Sequence, residues 1–268
     1  MASPSFPNTL HTVTFDCWST LIYEAPGQAG SALRVRRLAG LVGADEAAVA
    51  KAVAAAWRQH QVSWHHQVVF AGPHMLQHTL EALGIQLPAP EARRVLSEIE
   101  EDVLARTIVP IDGAGALLAQ LRAAGVRTAL ICDTGFSPGR VVRQLLARVG
   151  LLDHLEVTVF SDEIGVPKPH PRAFASALDA LGVQARGAVH IGDLRRSDVA
   201  GARAAGMASV RFRGHHDDSE SGASAVANLI DCAAAGCNPA CDRPEADLVA
   251  DTYPALGELL APRFPRTR

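Results

Sequence analysis

An aspartate directly follows an apolar run near the start of the chain. Val13, Thr14 and Phe15 are apolar or β-branched, and Asp16 comes next. A buried strand of a parallel sheet presents a residue in this way, because its carboxyl end opens at the crevice where ligands bind. A carboxylate there can attack a phosphoryl or alkyl centre and form a covalent intermediate. Asp16 is therefore the first candidate catalytic residue.

The same pattern recurs along the chain. Later apolar runs end at Asp133 with Thr134, at Ser161 with Asp162, and at Asp193. A single aspartate after a strand more often caps a helix than it catalyses a reaction. The carboxyl ends of parallel strands share one edge of the sheet, so the whole set favours an active site at that edge.

Strands and helices alternate around these residues. The pattern predicts strands at 13–15, 127–132, 155–160, 188–191 and 208–212, with a short last strand at 248–250. It predicts helices between and after them at 110–125, 141–149, 171–181, 198–205 and 253–260. This alternation predicts an α/β protein with a doubly wound, Rossmann-like parallel sheet.

The stretch from 31 to 107 differs, because helix-period segments dominate it and Gly and Pro separate them. We interpret it as an inserted α-helical cap (24–107), with the core formed by 1–23 and 108–268. Trp57, His60 and Trp64 recur at helical spacing and are expected to share a face. That face is either aromatic packing or a substrate-facing wall whose histidine donates a proton. The cap helices are predicted at 32–41, 47–61, 75–83 and 91–105.

Composition limits the class of protein. Aromatic residues make up 5% of the 268 residues, which favours a helix-rich fold over an all-β one. The net charge of −3 offers no electrostatic footprint for nucleic acid. No signal-peptide pattern or membrane-length apolar run is present. We expect a cytoplasmic monomer or homodimer that acts on a small anionic molecule, without nucleic-acid or membrane partners.

The five cysteines do not predict a disulfide scaffold. Cys17 and Cys132 lie beside strand-end aspartates, whereas Cys232, Cys237 and Cys241 form a C-x4-C-x3-C pattern. Zinc is conceivable at the second group, but a fourth ligand is missing. We expect surface thiols there.

Four segments in a fixed order resemble the haloacid dehalogenase superfamily. They are Phe15-Asp16-x3-Thr20-Leu21, Cys132-Asp133-Thr134-Gly135, Gly165-Val-Pro-Lys168-Pro169-His-Pro171 and Gly192-Asp193-x4-Asp198-Val-Ala-Gly-Ala-Arg-x-Ala-Gly-Met207. The resemblance spans about 12 to 212, and the helical insertion lies where that superfamily's first type of cap lies.

The resemblance implies catalytic roles. Asp16 would be the nucleophile, Lys168 would neutralise charge, and Asp198 would hold Lys168 or a metal-bound water. From its position alone, Asp198 is almost as well suited to cap the following helix, and both roles could hold. The implied cofactor is Mg2+, with Asp16, the backbone carbonyl of Trp18 and Asp193 as its ligands.

The implied phosphate site departs from the family pattern. The superfamily usually has Ser or Thr where Cys132 stands, and a thiol is a weak donor. Thr134 or the backbone amides of 133–135 could serve instead. Asp133, Trp18 and Arg195 complete the predicted substrate contacts, although Arg195 and the neighbouring Arg196 could also be merely solvated.

Trp18 is the larger departure, because phosphatases of the superfamily have there a second aspartate that protonates the leaving alkoxide. Reaction without a general acid forgoes about 10²–10⁴-fold in rate. Asp133 or a cap histidine could be the missing acid. A substrate with a low-pKa leaving group would not need one. The haloacid dehalogenases have an aromatic residue near Trp18, and the phosphonatases lack the second aspartate. However, dehalogenases tend to lack the Gly-Asp metal ligand, which Asp193 supplies here.

We therefore predict a Mg2+-dependent phosphatase of a small phosphorylated metabolite. The alternatives are a 2-haloacid dehalogenase-like or phosphonatase-like hydrolase, and a catalytically impaired phosphometabolite-binding protein. A phosphonatase would need an amine from the cap, where Lys51 is the one lysine.

Overall fold

The structure, a computed structural model, describes residues 6–27, 30–218 and 245–265. The predicted surface thiols Cys232, Cys237 and Cys241 lie outside the described residues. In chain order, the strands are β1 (Thr12–Phe15), β2 (Ile22–Glu24), β3 (Ile108–Pro110), β4 (Arg127–Cys132), β5 (Val157–Phe160), β6 (Ala188–Gly192), β7 (Ala208–Phe212) and β8 (Leu248–Ala250).

Ten α-helices lie in the described ranges. They are α1 (Gly30–Val42), α2 (Glu46–His65), α3 (Gly72–Leu83), α4 (Ala89–Glu100), α5 (Ala114–Ala123), α6 (Gly139–Arg148), α7 (Ser161–Ile164), α8 (Pro171–Leu181), α9 (Ala200–Ala204) and α10 (Tyr253–Leu260).

Six of the strands form one parallel sheet in the order β5-β4-β1-β6-β7-β8. The chain starts at β1, builds one side through β4 and β5, and then builds the other side from β6 to β8. Phe15 at the end of β1 is paired with Leu130 of β4 and Ile191 of β6. The predicted doubly wound sheet is confirmed, and the crevice beyond β1 is its topological switch point.

The sheet is covered on both faces because its strands alternate their side chains. Leu130 and Cys132 of β4 belong to an apolar cluster that includes residues of α5, α6 and α10. Ala129 and Ile131 of the same strand belong to a second cluster, with residues of α8 and α9. This period of two buries both faces of the central strands and leaves their carboxyl ends for polar residues.

Helices α1 to α4 have an apolar cluster of their own. It contains Leu38, Val49, Met75 and Ile99, together with Phe136 from the segment after β4. The segments that enter and leave these helices lie side by side, because β2 pairs antiparallel with β3. The partition into cap and core at 24 and 107 stays a prediction. Within the described ranges, no helix is long and apolar enough to cross a membrane.

The structure differs from the predicted elements mainly at short segments. β2 and β3 were not predicted, since runs of three residues carry no readable alternation. The helix predicted at 110–125 begins only at Ala114, after Gly113 in a left-handed conformation (φ 82°). The helix predicted at 91–105 ends at Glu100, and a 3-10 turn follows over Asp102–Ala105.

Removing the hydroxyl of Tyr253 should destabilise the fold. This buried hydroxyl donates to the backbone carbonyl of Thr20 at 2.6 Å and ties α10 to the turn after β1. Tyr253→Phe leaves that carbonyl without its donor, which should lower the free energy of unfolding by about 1–3 kcal/mol. Urea denaturation measures the change, and Tyr23→Phe is the matched control, expected within about 0.5 kcal/mol of wild type. Equal losses in the two variants would contradict the prediction.

Candidate active site

Lys168 lies between two carboxylates at the carboxyl edge of the sheet. Its Nζ donates to Asp16 Oδ1 at 2.5 Å and to Asp198 Oδ1 at 2.7 Å. The Lys168 side chain is only 2% exposed. Asp16 extends β1, and its backbone N–H donates to the carbonyl of Ile191 on β6. The three predicted catalytic residues therefore meet in one buried cluster.

Asp198 does not cap the following helix, so that alternative is wrong. Its Oδ2 accepts the backbone N–H of Leu194 at 3.0 Å, which closes the turn before α9. The turn is a short π-helical segment, Arg195–Val199. A Cβ on Gly192 would lie 2.3 Å from Asp198 Cγ, so this close approach requires glycine.

His190 is a member of the cluster that the sequence analysis missed. It is fully buried on β6, with Nε2 3.2 Å from Asp198 Oδ1 and Nδ1 2.7 Å from Thr14 Oγ1. Burial lowers the pKa of His190 and outweighs the carboxylate of Asp198. A neutral ring that donates Nε2–H to Asp198 and accepts at Nδ1 from Thr14 satisfies all of these contacts.

Burial decides the electrostatics of the cluster. It raises the pKa of Asp16 to about 8, against the opposing effect of Lys168 and with repulsion from Asp198 and Asp193 adding to it. Burial also acts to raise the pKa of Asp198, but Lys168 and His190 outweigh it and hold that pKa well below its usual range. For Lys168, burial acts to lower the pKa, but the surrounding carboxylates raise it well above the usual value.

Asp193 adds a further buried carboxylate at the end of β6. Burial raises its pKa to about 6, although His216 Nδ1, 2.7 Å from Asp193 Oδ2, opposes the shift. His216 lies in the segment after β7 and was not predicted. Repulsion between Asp16 and Asp193 adds to the rise in the pKa of Asp16, while the contact with Asp193 raises the pKa of His216.

A cation that binds both Asp16 and Asp193 would relieve the repulsion between them, so the pair fits a bound Mg2+. In the part of the chain that the structure describes, no three His, Cys, Asp or Glu side chains gather as a ready metal cage. Mg2+ does not need one, since it binds through one or two carboxylates and completes its shell with water and substrate phosphate. Asp16 and Asp193, with the backbone carbonyl of Trp18 that the family resemblance implies, would be a donor set of that kind.

The residues after β4 are held by polar contacts. Asp133 Oδ1 accepts the backbone N–H of Lys168, and Asp133 Oδ2 accepts Trp64 Nε1–H, both at 2.9 Å. The Thr134 hydroxyl donates to Asp162 Oδ1 at 3.0 Å. The buried Cys132 thiol has a raised pKa, because it is hydrogen-bonded to Cys17 and removed from water. Their roles in substrate binding stay predictions.

Two other predicted substrate contacts have partners within the protein. Trp18 is partly buried and packs against the apolar cluster that covers β1. Arg195 donates to Asp218 through Nε at 2.9 Å and through its backbone N–H at 2.8 Å. The charge of Arg195 is therefore already paired with Asp218. The sequence predicts either a substrate contact or a solvated side chain, and neither prediction includes this ion pair.

The aromatic residues of α2 divide into two groups. Trp57 and His60 pack edge to face, and His60 Nδ1 lies 2.7 Å from the carbonyl of Phe70. Burial lowers the pKa of His60. Trp64 instead reaches the sheet edge at Asp133.

The geometry agrees with comparisons to known proteins. A model of the family described as haloacid dehalogenase-like hydrolase matches residues 10–206. The chain is a haloacid dehalogenase-like hydrolase.

Two curated relatives and one solved structure are similar to this hydrolase. Phosphoglycolate phosphatase of Pectobacterium atrosepticum is 30% identical over 205 residues, which cover 74% of this chain and 78% of the relative. Glyceraldehyde 3-phosphate phosphatase of Pyrococcus abyssi is 38% identical over 105 residues, 38% of this chain and 42% of that relative's length. The crystal structure of a HAD phosphatase from Thermococcus onnurineus is 19% identical, with a TM-score of 0.64 over 96% of this chain and 100% of its own. That likeness shows the fold alone.

Replacing Lys168 should destabilise the hydrolase in a pH-dependent way. Lys168→Met leaves Asp16 and Asp198 buried without their ammonium partner, which should cost about 3–5 kcal/mol near pH 8. Without Lys168, burial should raise the folded pKa of both carboxyls above the unfolded values, so the folded state should bind more protons. The free energy of unfolding of the variant should therefore rise as the pH falls from 8 toward 5.

Urea denaturation in metal-free buffer at both pH values measures this loss. The matched control is Lys51→Met, since Lys51 is exposed on α2 and is the only other lysine in the chain. A loss of the same size at pH 5 and pH 8 would show that the carboxylates do not depend on Lys168.

Proposed function

We propose that this hydrolase is a Mg2+-dependent phosphatase of a small phosphorylated metabolite, with Asp16 as its nucleophile. The observation that carries the proposal is the contact of Asp16 with buried Lys168, beside a further carboxylate, Asp193, which repels Asp16. The matched relatives are named as phosphatases of small phosphorylated molecules, which supports the same substrate class.

The place of Asp16 at the carboxyl end of β1, in contact with Lys168, supports a covalent mechanism. A carboxylate oxygen of Asp16 attacks the phosphorus atom, the bond to the leaving oxygen breaks, and that oxygen departs with the electron pair. Water then attacks the phosphorus of the aspartyl-phosphate and breaks its bond to Asp16. Inorganic phosphate is released, and the Asp16 carboxylate is restored.

Lys168, Asp198 and His190 prepare the nucleophile. Lys168 Nζ neutralises charge where the anionic phosphoryl group meets Asp16, which lowers the repulsion between them. Asp198 keeps Nζ in place, since its Oδ1 accepts from Lys168 and its Oδ2 from the turn after β6. His190 fixes Asp198 from inside the sheet.

Asp16, the carbonyl of Trp18 and Asp193 would hold Mg2+. When bound, Mg2+ would neutralise charge on the oxygens of the transferring phosphoryl group. That chemistry favours a phosphatase over a dehalogenase, because a halide substrate offers no phosphoryl oxygens to bind.

Asp16→Asn should abolish turnover. With p-nitrophenyl phosphate and Mg2+, we expect a loss of at least about 10³-fold in kcat, because an amide cannot form the covalent intermediate. Wild-type turnover should also disappear in EDTA. The control is Asp153→Asn, since Asp153 is exposed and lies before β5. Wild-type activity in Asp16→Asn would exclude the mechanism.

A second candidate, a 2-haloacid dehalogenase-like hydrolase, is favoured by one residue. Trp18 carries no acidic proton, and a halide leaves without protonation. Chloride release from 2-chloropropionate in EDTA, without turnover of phosphate esters in Mg2+, would support this candidate over the phosphatase.

A phosphonatase-like reaction would need Lys51, which lies exposed on α2. Tight binding of phosphometabolites without any turnover would instead identify a binding protein.

Trp18 also predicts how the phosphatase rate depends on its substrate. Without a proton donor at this position, the leaving group must carry its own negative charge. We expect kcat/KM to be highest for p-nitrophenyl phosphate, lower for phenyl phosphate and lowest for simple alkyl phosphates. The fall over the whole series should be about 10²-fold or more. Initial rates across such a series in Mg2+ measure the dependence. Similar rates for all three classes would show that another group supplies the proton.

A further inference from the structure

Trp64 is a residue of the helical insertion that contacts two loops of the sheet edge. Its Nε1–H donates to Asp133 Oδ2 at 2.9 Å, and Asp133 directly follows β4. The guanidinium carbon of Arg196, in the turn after β6, lies 3.7 Å from the centre of a Trp64 ring. Since β4 and β6 flank β1 in the sheet, Trp64 touches the loops on both sides of the nucleophile strand.

The contact with Asp133 leads on to the nucleophile. The second oxygen of Asp133, Oδ1, accepts the backbone N–H of Lys168 at 2.9 Å. The side chain of the same lysine donates to Asp16. Trp64 on α2 is therefore connected to Asp16 through Asp133 and Lys168. Each step is a hydrogen bond, and Lys168 takes part with both its backbone N–H and its side chain.

Asp133 depends on both of its donors. Burial raises the pKa of this carboxyl, and the hydrogen bonds from Lys168 and Trp64 act against that shift. A buried carboxylate oxygen that loses its donor bears an unsatisfied desolvation cost. Without the indole N–H, Asp133 would rotate or take a proton, and either change alters the acceptor that the Lys168 backbone uses.

We propose that Trp64 is a positioning residue of the hydrolase. By holding Asp133, it sets the backbone at Lys168 and so the place of Nζ on Asp16. The site is then complete only while α2 lies against the sheet edge. The inference rests on the proposed function, because it assigns Trp64 a part in the reaction at Asp16.

Trp64→Phe separates this role from packing. Phenylalanine keeps an aromatic face for Arg196 but lacks the N–H that Asp133 accepts. We expect kcat for p-nitrophenyl phosphate in Mg2+ to fall about 10-fold, with KM within about 2-fold of wild type, since one buried donor is lost. The control is Arg58→Ala, an exposed position of the same helix, which should leave both constants unchanged. An unchanged kcat in Trp64→Phe would overturn the proposal.

Asp133→Asn supplies the matched second variant. An asparagine oxygen can still accept the Lys168 N–H, but its amide then points a donor at the donor of Trp64. Adding Trp64→Phe to Asp133→Asn should therefore cost no further activity, or restore some, and the double-mutant cycle should be clearly non-additive. If Trp64→Phe lowers kcat equally in both backgrounds, Trp64 does not act through Asp133.

A spectroscopic measurement tests the placement of Lys168 without any turnover. The chain has two lysines, so lysine labelled with 15N gives two backbone amide signals and two Nζ signals, from Lys51 and Lys168. Trp64→Phe should shift the Lys168 signals and leave those of Lys51 in place. Unshifted Lys168 signals would overturn the proposal. If wild type turns over no phosphate ester but Lys168 shifts, the proposed function fails and the positioning role stands.

Discussion

A single ammonium group holds the sheet edge together. Lys168 Nζ lies within hydrogen-bonding distance of both Asp16 and Asp198, in a region from which water is largely excluded. Buried carboxylates are costly unless they are paired and hydrogen-bonded. The strands can therefore present two carboxylates at one point only because the lysine is there. A third carboxylate, Asp193, repels Asp16 and contacts His216, whose pKa it raises.

The surroundings of Lys168 show how this constraint extends through the fold. Its backbone is held by Asp133 after β4, and its side chain by Asp198 after β6. Asp198 is in turn fixed by His190 within β6, and the close approach of Gly192 leaves room for nothing larger than hydrogen. Connected and satisfied polar networks of this kind rigidify a site, because moving one member unpairs the next. Strand tips far apart in sequence thus act as one unit.

Much of this arrangement could be predicted from the sequence. The rest could not, because local patterns do not show which residues of different elements contact each other. Asp16 and Asp193 follow readable apolar runs, and the shared edge of parallel strands predicts their meeting. His190 was missed because a histidine inside a buried strand looks like part of the core until its partners are known. Trp64 cannot be singled out from the sequence among the aromatic residues of its amphipathic helix, since spacing does not tell which of them contacts another element.

The protonation states and contacts of the residues around Asp16 indicate which chemistry the cluster is suited to. Lys168 keeps its proton strongly, and Asp198 stays ionised, so neither is suited to give a proton to a departing oxygen. His216 Nδ1 lies 2.7 Å from Asp193 Oδ2, a contact that raises the pKa of His216, and Trp18 packs against the core. Among the residues the structure describes around Asp16, three groups with raised pKa values already have hydrogen-bond partners; they are Asp133, Asp193 and His216. Under the proposed mechanism, the cluster would stabilise charge where Asp16 attacks, and the nature of the leaving group would decide how fast the covalent step proceeds.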